Sequence, residues 1–110
     1  MALDQTGRGA PIIAFDIEGT LIHQVGEKED TPRYEIIQLV FAFKALGCQI
    51  VIWTGHSYGV DFSLRWVQKL GLDVDACMAK PSFSDPNRLI PDIAFDDMKD
   101  CKLGKVNIQV

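Results

Sequence analysis

The chain is poor in the features that would make it a stapled, membrane-bound or zinc-held protein. Cysteine occurs three times in 110 residues, at Cys48, Cys77 and Cys101, and never as Cys-x-x-C. An odd count without paired spacing argues against a disulfide framework and for a reducing compartment, so a cytoplasmic location is expected. Cys48 and Cys77 read as small core residues. No apolar run approaches the roughly 20 residues of a membrane span, and the first residues lack the apolar core of a secretion signal. Histidine occurs twice, at His23 and His56, outside any His-x-His or His-Glu-x-x-His pattern. Zinc chemistry is therefore disfavoured, and both read as loop residues. Lys and Arg total 11 against 15 Asp and Glu, a net charge of -4. That balance disfavours general binding to nucleic acid or anionic membrane. It leaves room for a phosphorylated ligand if a cation shares the site. Low-complexity segments and internal repeats are not expected.

Hydrophobic residues make up 47% of the chain, enough for a core, and the length fits one domain. Residues 1–10 read as a flexible tail and 11–110 as the domain. Apolar runs at 12–16, 49–54, 75–79 and 93–96 read as buried strands, with a last strand at 106–110. A charged loop is expected over 22–31. Thr31-Pro32 carries the signature of a helix start, Thr as N-cap and Pro in the first turn, with Gly47 as the stop. Ile36, Ile37, Leu39, Val40, Phe41, Phe43 and Leu46 make this helix apolar on more than one face, so it is expected to be largely buried. A second helix is expected from a Ser57 N-cap to Leu70, and a short third one from Asp97 to about Leu103. Alternating strands and helices indicate an α/β protein with a mostly parallel sheet.

In such sheets functional groups collect beyond the strand C-termini. Four strand ends carry Asp16, Thr54, Lys80 and the pair Asp96-Asp97, with Glu18 two residues after Asp16. One polar strand end is ordinary; two acids, a hydroxyl and a lysine at successive ends describe one site. Hard cations such as Mg2+ take carboxylate and phosphate oxygens. A carboxylate can attack phosphorus, and a second acid can protonate the leaving oxygen and later activate water. Thr54, the Gly55 N–H and the Lys80 ammonium suit the phosphoryl oxygens. The parts suffice for phosphoester hydrolysis.

The ordered set resembles the haloacid dehalogenase (HAD) superfamily, in particular its phosphatases. Asp16-Ile17-Glu18-Gly19-Thr20-Leu21 is similar to the first motif of that family, Asp-x-Asp-Gly-Thr-Leu; Thr54, Lys80 and Asp96-Asp97 stand in the order of the other three. The resemblance implies a three-layer Rossmann-like fold with strand order 5-4-1-2-3. It implies Asp16 as nucleophile and metal ligand, and Glu18 as acid/base and carbonyl donor to Mg2+. It assigns Thr54, Gly55 and Lys80 to the phosphate, and Asp96 with Asp97 to the metal, Asp100 being an alternative second acid. The substrate class implied is a phosphomonoester of unspecified identity.

The sequence departs from the family pattern twice. Glu18 replaces the usual second Asp, and its extra methylene moves the carboxyl by roughly 1.5 Å. That motivates a second reading, a catalytically weak or inactive domain that binds a partner or ligand. The link from Lys80 to the fourth strand near Asp92 is only 11 residues (81–91), where the family usually has a helix. It must cross about 20–25 Å, and 11 extended residues reach about 36 Å, so the crossing is feasible without one. One sheet face is then thinly covered, which invites a partner or a second copy closing the open site. No cap domain is visible. A phospho-accepting receiver domain would need its acid at the end of the third strand, where Ala79-Lys80 stands.

Overall fold

A computed structural model describes residues 9–23, 31–55 and 59–110. The N-terminal tail, most of the 22–31 loop, His56 and the Ser57 cap lie wholly or largely outside those residues. Five strands form one sheet: β1 (Ile12–Asp16), β2 (Gln49–Thr54), β3 (Ala76–Ala79), β4 (Ile93–Asp96) and β5 (Val106–Gln109). Two helices, α1 (Tyr34–Ala45) and α2 (Gly59–Leu70), connect the first three strands. The sheet order is β3-β2-β1-β4-β5, the expected order read from the other edge. Every pairing is parallel, so "mostly parallel" becomes fully parallel. No helix among the described residues is long and apolar enough to cross a membrane.

β1 is central and buried along its whole length, as its unbroken apolar run requires. Alternate side chains then feed two separate cores. Ile13 and Phe15 point to the larger one, with Ile50, Ile52 and Phe95 from neighbouring strands, Ile36, Ile37 and Val40 from α1, and Trp66 and Val67 from α2. Both helices lie on this face because both crossovers run in the same direction and share one hand. Ile12 and Ala14 point the other way, to a smaller core with Val51, Trp53, Ala94 and Leu103. There the cover comes from irregular segments, residues 80–92 and 97–105. The thin face is therefore as expected, but the third layer contains no helix among the described residues.

Several local expectations are overturned. The Thr31-Pro32 helix signature loses to tertiary pairing: Pro32 bridges Ile22, His23 N donates to Thr31 O at 2.7 Å and Arg33 N to Leu21 O at 2.8 Å. That short ribbon keeps the chain extended, so α1 starts at Tyr34 with Arg33 as its cap. α1 is also not largely buried; Tyr34, Phe41 and Leu46 face outward. The short helix after Asp97 does not form. Asp100 takes φ +62°, which a helix does not allow. Gly47 and Gly71 do end their helices, through Cys48 N to Phe43 O and Leu72 N to Val67 O.

The sheet also pairs a short internal repeat, where none was expected. Ile-Ala-Phe-Asp occurs at 13–16 and again at 93–96. The two copies are paired in register as neighbours, Ile13 with Ile93, Ala14 with Ala94 and Phe15 with Phe95. The two phenylalanine rings stack at 4.8 Å. In-register pairing of identical strands sets Asp16 and Asp96 side by side at the sheet's C-terminal edge.

Candidate functional site

Asp16 and Asp96 leave adjacent strands at the same level, and both are buried. Two carboxylates removed from water at this spacing need a counter-charge. Lys80, the first residue after β3, supplies one. Its Nζ lies 2.6 Å from Asp96 Oδ2 and 3.0 Å from Asp16 Oδ1. Asp96 is further held by the Met98 N–H at 2.9 Å and by the Cys101 thiol at 3.4 Å. Asp16 is held less completely. Its Oδ2 accepts from the Thr20 hydroxyl at a long 3.4 Å, and its buried Oδ1 receives no aligned hydrogen bond.

Asp97 completes the cluster. Ligand oxygens of Asp16, Asp96 and Asp97 all fall within 4.8 Å of one another, and Asp100 is not in the group. Of the two acids in the Asp97/Asp100 alternative, Asp97 is the one that stands with Asp16 and Asp96. Its seat is made by Gly19, whose φ is +80°. A Cβ on Gly19 would stand 2.1 Å from Asp97 Oδ2. Gly19 is therefore needed twice, for the left-handed turn and for the bare Cα against which the carboxylate rests.

Burial, and behind it the charge of Asp96, outweighs Lys80 and pushes the Asp16 carboxyl up from 3.8 to about 8. Burial also raises Asp97. Burial alone would lower Lys80, but Asp16 and Asp96 hold its ammonium above the usual lysine range. Burial, reinforced by Asp96, lifts the Cys101 thiol to about 11, so it is a neutral donor. One ammonium, in contact with two of the three carboxyls, is the cationic partner that the cluster holds.

Glu18 and Thr54 form a second pair beside the cluster. The Thr54 hydroxyl, fully buried at the end of β2, donates to Glu18 Oε1, and it also lies 3.2 Å from Gly55 O. The Glu18 side chain is turned to Thr54 and stands outside the carboxylate group. Of the expected site residues, Asp16, Lys80, Asp96 and Asp97 come together directly; Glu18, Thr54 and Gly55 line the adjoining strand end. Thr20, Cys101 and Arg33 were missed. Thr20 stood inside the first motif and was the most findable. Arg33 reaches back from the head of α1 to Gly19 O at 2.7 Å and Val110 O at 3.3 Å, contacts that no local pattern marks.

The donor set fits a hard divalent cation. It offers all-oxygen ligands and a buried carboxyl oxygen that receives no aligned hydrogen bond. No family model matches the chain, and no curated protein matches it with significant sequence similarity.

Proposed function

We propose that the protein is a Mg2+-dependent phosphomonoester hydrolase working through an aspartyl phosphate on Asp16, as a capless protein similar to the HAD phosphatases. The observation that carries this reading is the convergence of Asp16, Asp96, Asp97 and Lys80 at neighbouring strand ends. Asp16, Asp96, Asp97 and the Glu18 carbonyl would hold Mg2+, which when bound supplies positive charge against the carboxylates and the phosphoryl oxygens.

In this reading Thr54, the Gly55 N–H and Lys80 take the phosphoryl oxygens. The Asp16 carboxylate attacks phosphorus while the ester P–O bond breaks, and the leaving oxygen takes its proton from Glu18. Glu18, now a carboxylate, removes a proton from water; the resulting hydroxide attacks phosphorus, releasing phosphate and the Asp16 carboxylate. The Asp16 pKa near 8 belongs to the metal-free protein, and added positive charge returns the nucleophile to its anionic form.

The test is a phosphomonoester panel with and without Mg2+, on wild type and Asp16→Asn. The variant is expected to lose hydrolysis and Mg2+-dependent beryllofluoride binding; wild-type turnover in it excludes the mechanism. The Thr54–Glu18 contact favours a second reading, in which two groups needed for turnover are engaged with each other and the domain binds ligand with little catalysis. Glu18→Asp separates the two. A gain in turnover favours the binding reading, and a loss means that Glu18 is fitted to the reaction.

A further inference from the structure

We infer that Arg33 is a positioning residue that holds the carboxylate cluster together by clamping the Gly19 turn to the end of the sheet. The metal part of this inference rests on the reading above; the clamp itself does not.

Arg33 is the cap of α1, and its side chain is 19% exposed. One guanidinium nitrogen, Nη1, reaches two main-chain oxygens from distant parts of the chain, Gly19 O at 2.7 Å and Val110 O at 3.3 Å. Its Nε pairs with Glu35 at 3.0 Å, which fixes the plane of the group from the solvent side. The backbone is committed as well, because Arg33 N donates to Leu21 O and Arg33 O accepts from Ile36 and Ile37. The residue is anchored before its side chain does anything.

Each of these oxygens leads to one side of the cluster. Gly19 sits in the turn that follows Asp16 and Glu18, with its N–H bonded to Ile22 O at 2.8 Å. The Asp97 carboxylate rests on its Cα face. Val110 N donates to Asp96 O at 2.9 Å, so the second oxygen belongs to the residue that fastens the end of β4. The guanidinium therefore spans the seam between the turn that follows Asp16 and the strand end carrying Asp96 and Asp97. Asp97 rests on the Gly19 side of this seam, so opening the seam would separate carboxyls whose oxygens lie within 4.8 Å of one another. A charge-assisted, two-way donor across the seam opposes it. Lysine carries the charge but lacks the planar fork, so it replaces arginine only in part.

The experiment compares wild type, Arg33→Lys, Arg33→Met, Asp97→Asn and the double variant Arg33→Met/Asp97→Asn. Amide hydrogen exchange without metal reads the clamp. Arg33→Met is expected to speed exchange at Gly19 and Val110 at least tenfold, with Arg33→Lys between it and wild type and the β2 amides of Ile50 and Ile52 unchanged. Unchanged exchange at Gly19 and Val110 overturns the clamp; equal acceleration in β2 overturns it in favour of general destabilisation. Mg2+ titration calorimetry reads the consequence. Arg33→Met is expected to weaken Mg2+ binding about tenfold, and Asp97→Asn to leave little for it to weaken further, the double variant falling short of the product of the two losses. Fully multiplicative losses overturn the route through Asp97. Absence of Mg2+ binding in the wild type fails the metal reading, while the exchange data still decide the clamp.

Discussion

The helix-covered and loop-covered faces of the sheet use the same strands and solve the burial problem differently. On the first face, α1 and α2 bring whole rows of apolar side chains onto Phe15, Ile50 and Ile52. On the second, single residues such as Leu103 dip in from irregular segments onto Ile12, Ala14 and Trp53. A helix presents three or four side chains at fixed spacing, so removing one leaves the others in place around a hole. A loop can close over such a loss. The candidate site lies where the two regimes meet. The turn with Asp16, Gly19 and Thr20 is rooted in the first core through Ile17, Leu21 and Ile22. Lys80 and Asp97 enter on the irregular segments of the second. The rigid face fixes Asp16, and the adaptable one brings Lys80 and Asp97 to it.

A like-for-like truncation tests that contrast most strongly. Leu21→Ala in the first core is expected to cost about 4–5 kcal/mol, and Leu103→Ala in the second about 2 kcal/mol, the two ends of the range for buried leucine. Chemical denaturation measures both, and equal costs would break the comparison. The next effect is on pH dependence. With its carboxyl raised from 3.8 to about 8, Asp16 makes the folded metal-free protein bind a proton that the unfolded chain has released. Stability should therefore fall as pH rises from about 4 to about 8 and level off above. Thermal unfolding in a chelator across that range reads this, and Asp16→Asn should flatten the profile. Mg2+ should stabilise more at pH 8 than at pH 6, since it competes with that proton. The smallest effect is expected at the outer edge of the second face. Val106 is exposed in β5, and Val106→Thr should change stability by no more than about 0.5 kcal/mol.

Much of the fold was legible because the strands are short apolar runs that end in polar residues. Asp16, Thr54, Lys80 and Asp96 could be placed at strand ends from that pattern, and the parallel order followed from chain connectivity and the resemblance. What failed was local signal against tertiary context. Thr31-Pro32 reads as a helix start in isolation, but its backbone is taken by Ile22 and His23. The apolar residues of α1 counted towards burial, yet nothing in the described chain covers Tyr34 and Phe41. Arg33 was illegible for a different reason. Its targets are main-chain oxygens 14 and 77 residues away, and a main-chain oxygen has no residue type to recognise. The duplicated Ile-Ala-Phe-Asp was in plain view, but four residues carry little weight until they are seen paired.

That duplication reaches beyond the folded molecule. Any neighbour that accepts the segment at 13–16 in its register also suits the segment at 93–96, so an unfolded chain carries two strands able to compete for one slot. Within one molecule the connections decide which strand goes where. Between molecules they do not, and at high concentration the copy at 93–96 of one chain can take the place beside the central strand of another. Refolding yield should therefore depend on protein concentration, with strand-exchanged dimers as the characteristic by-product.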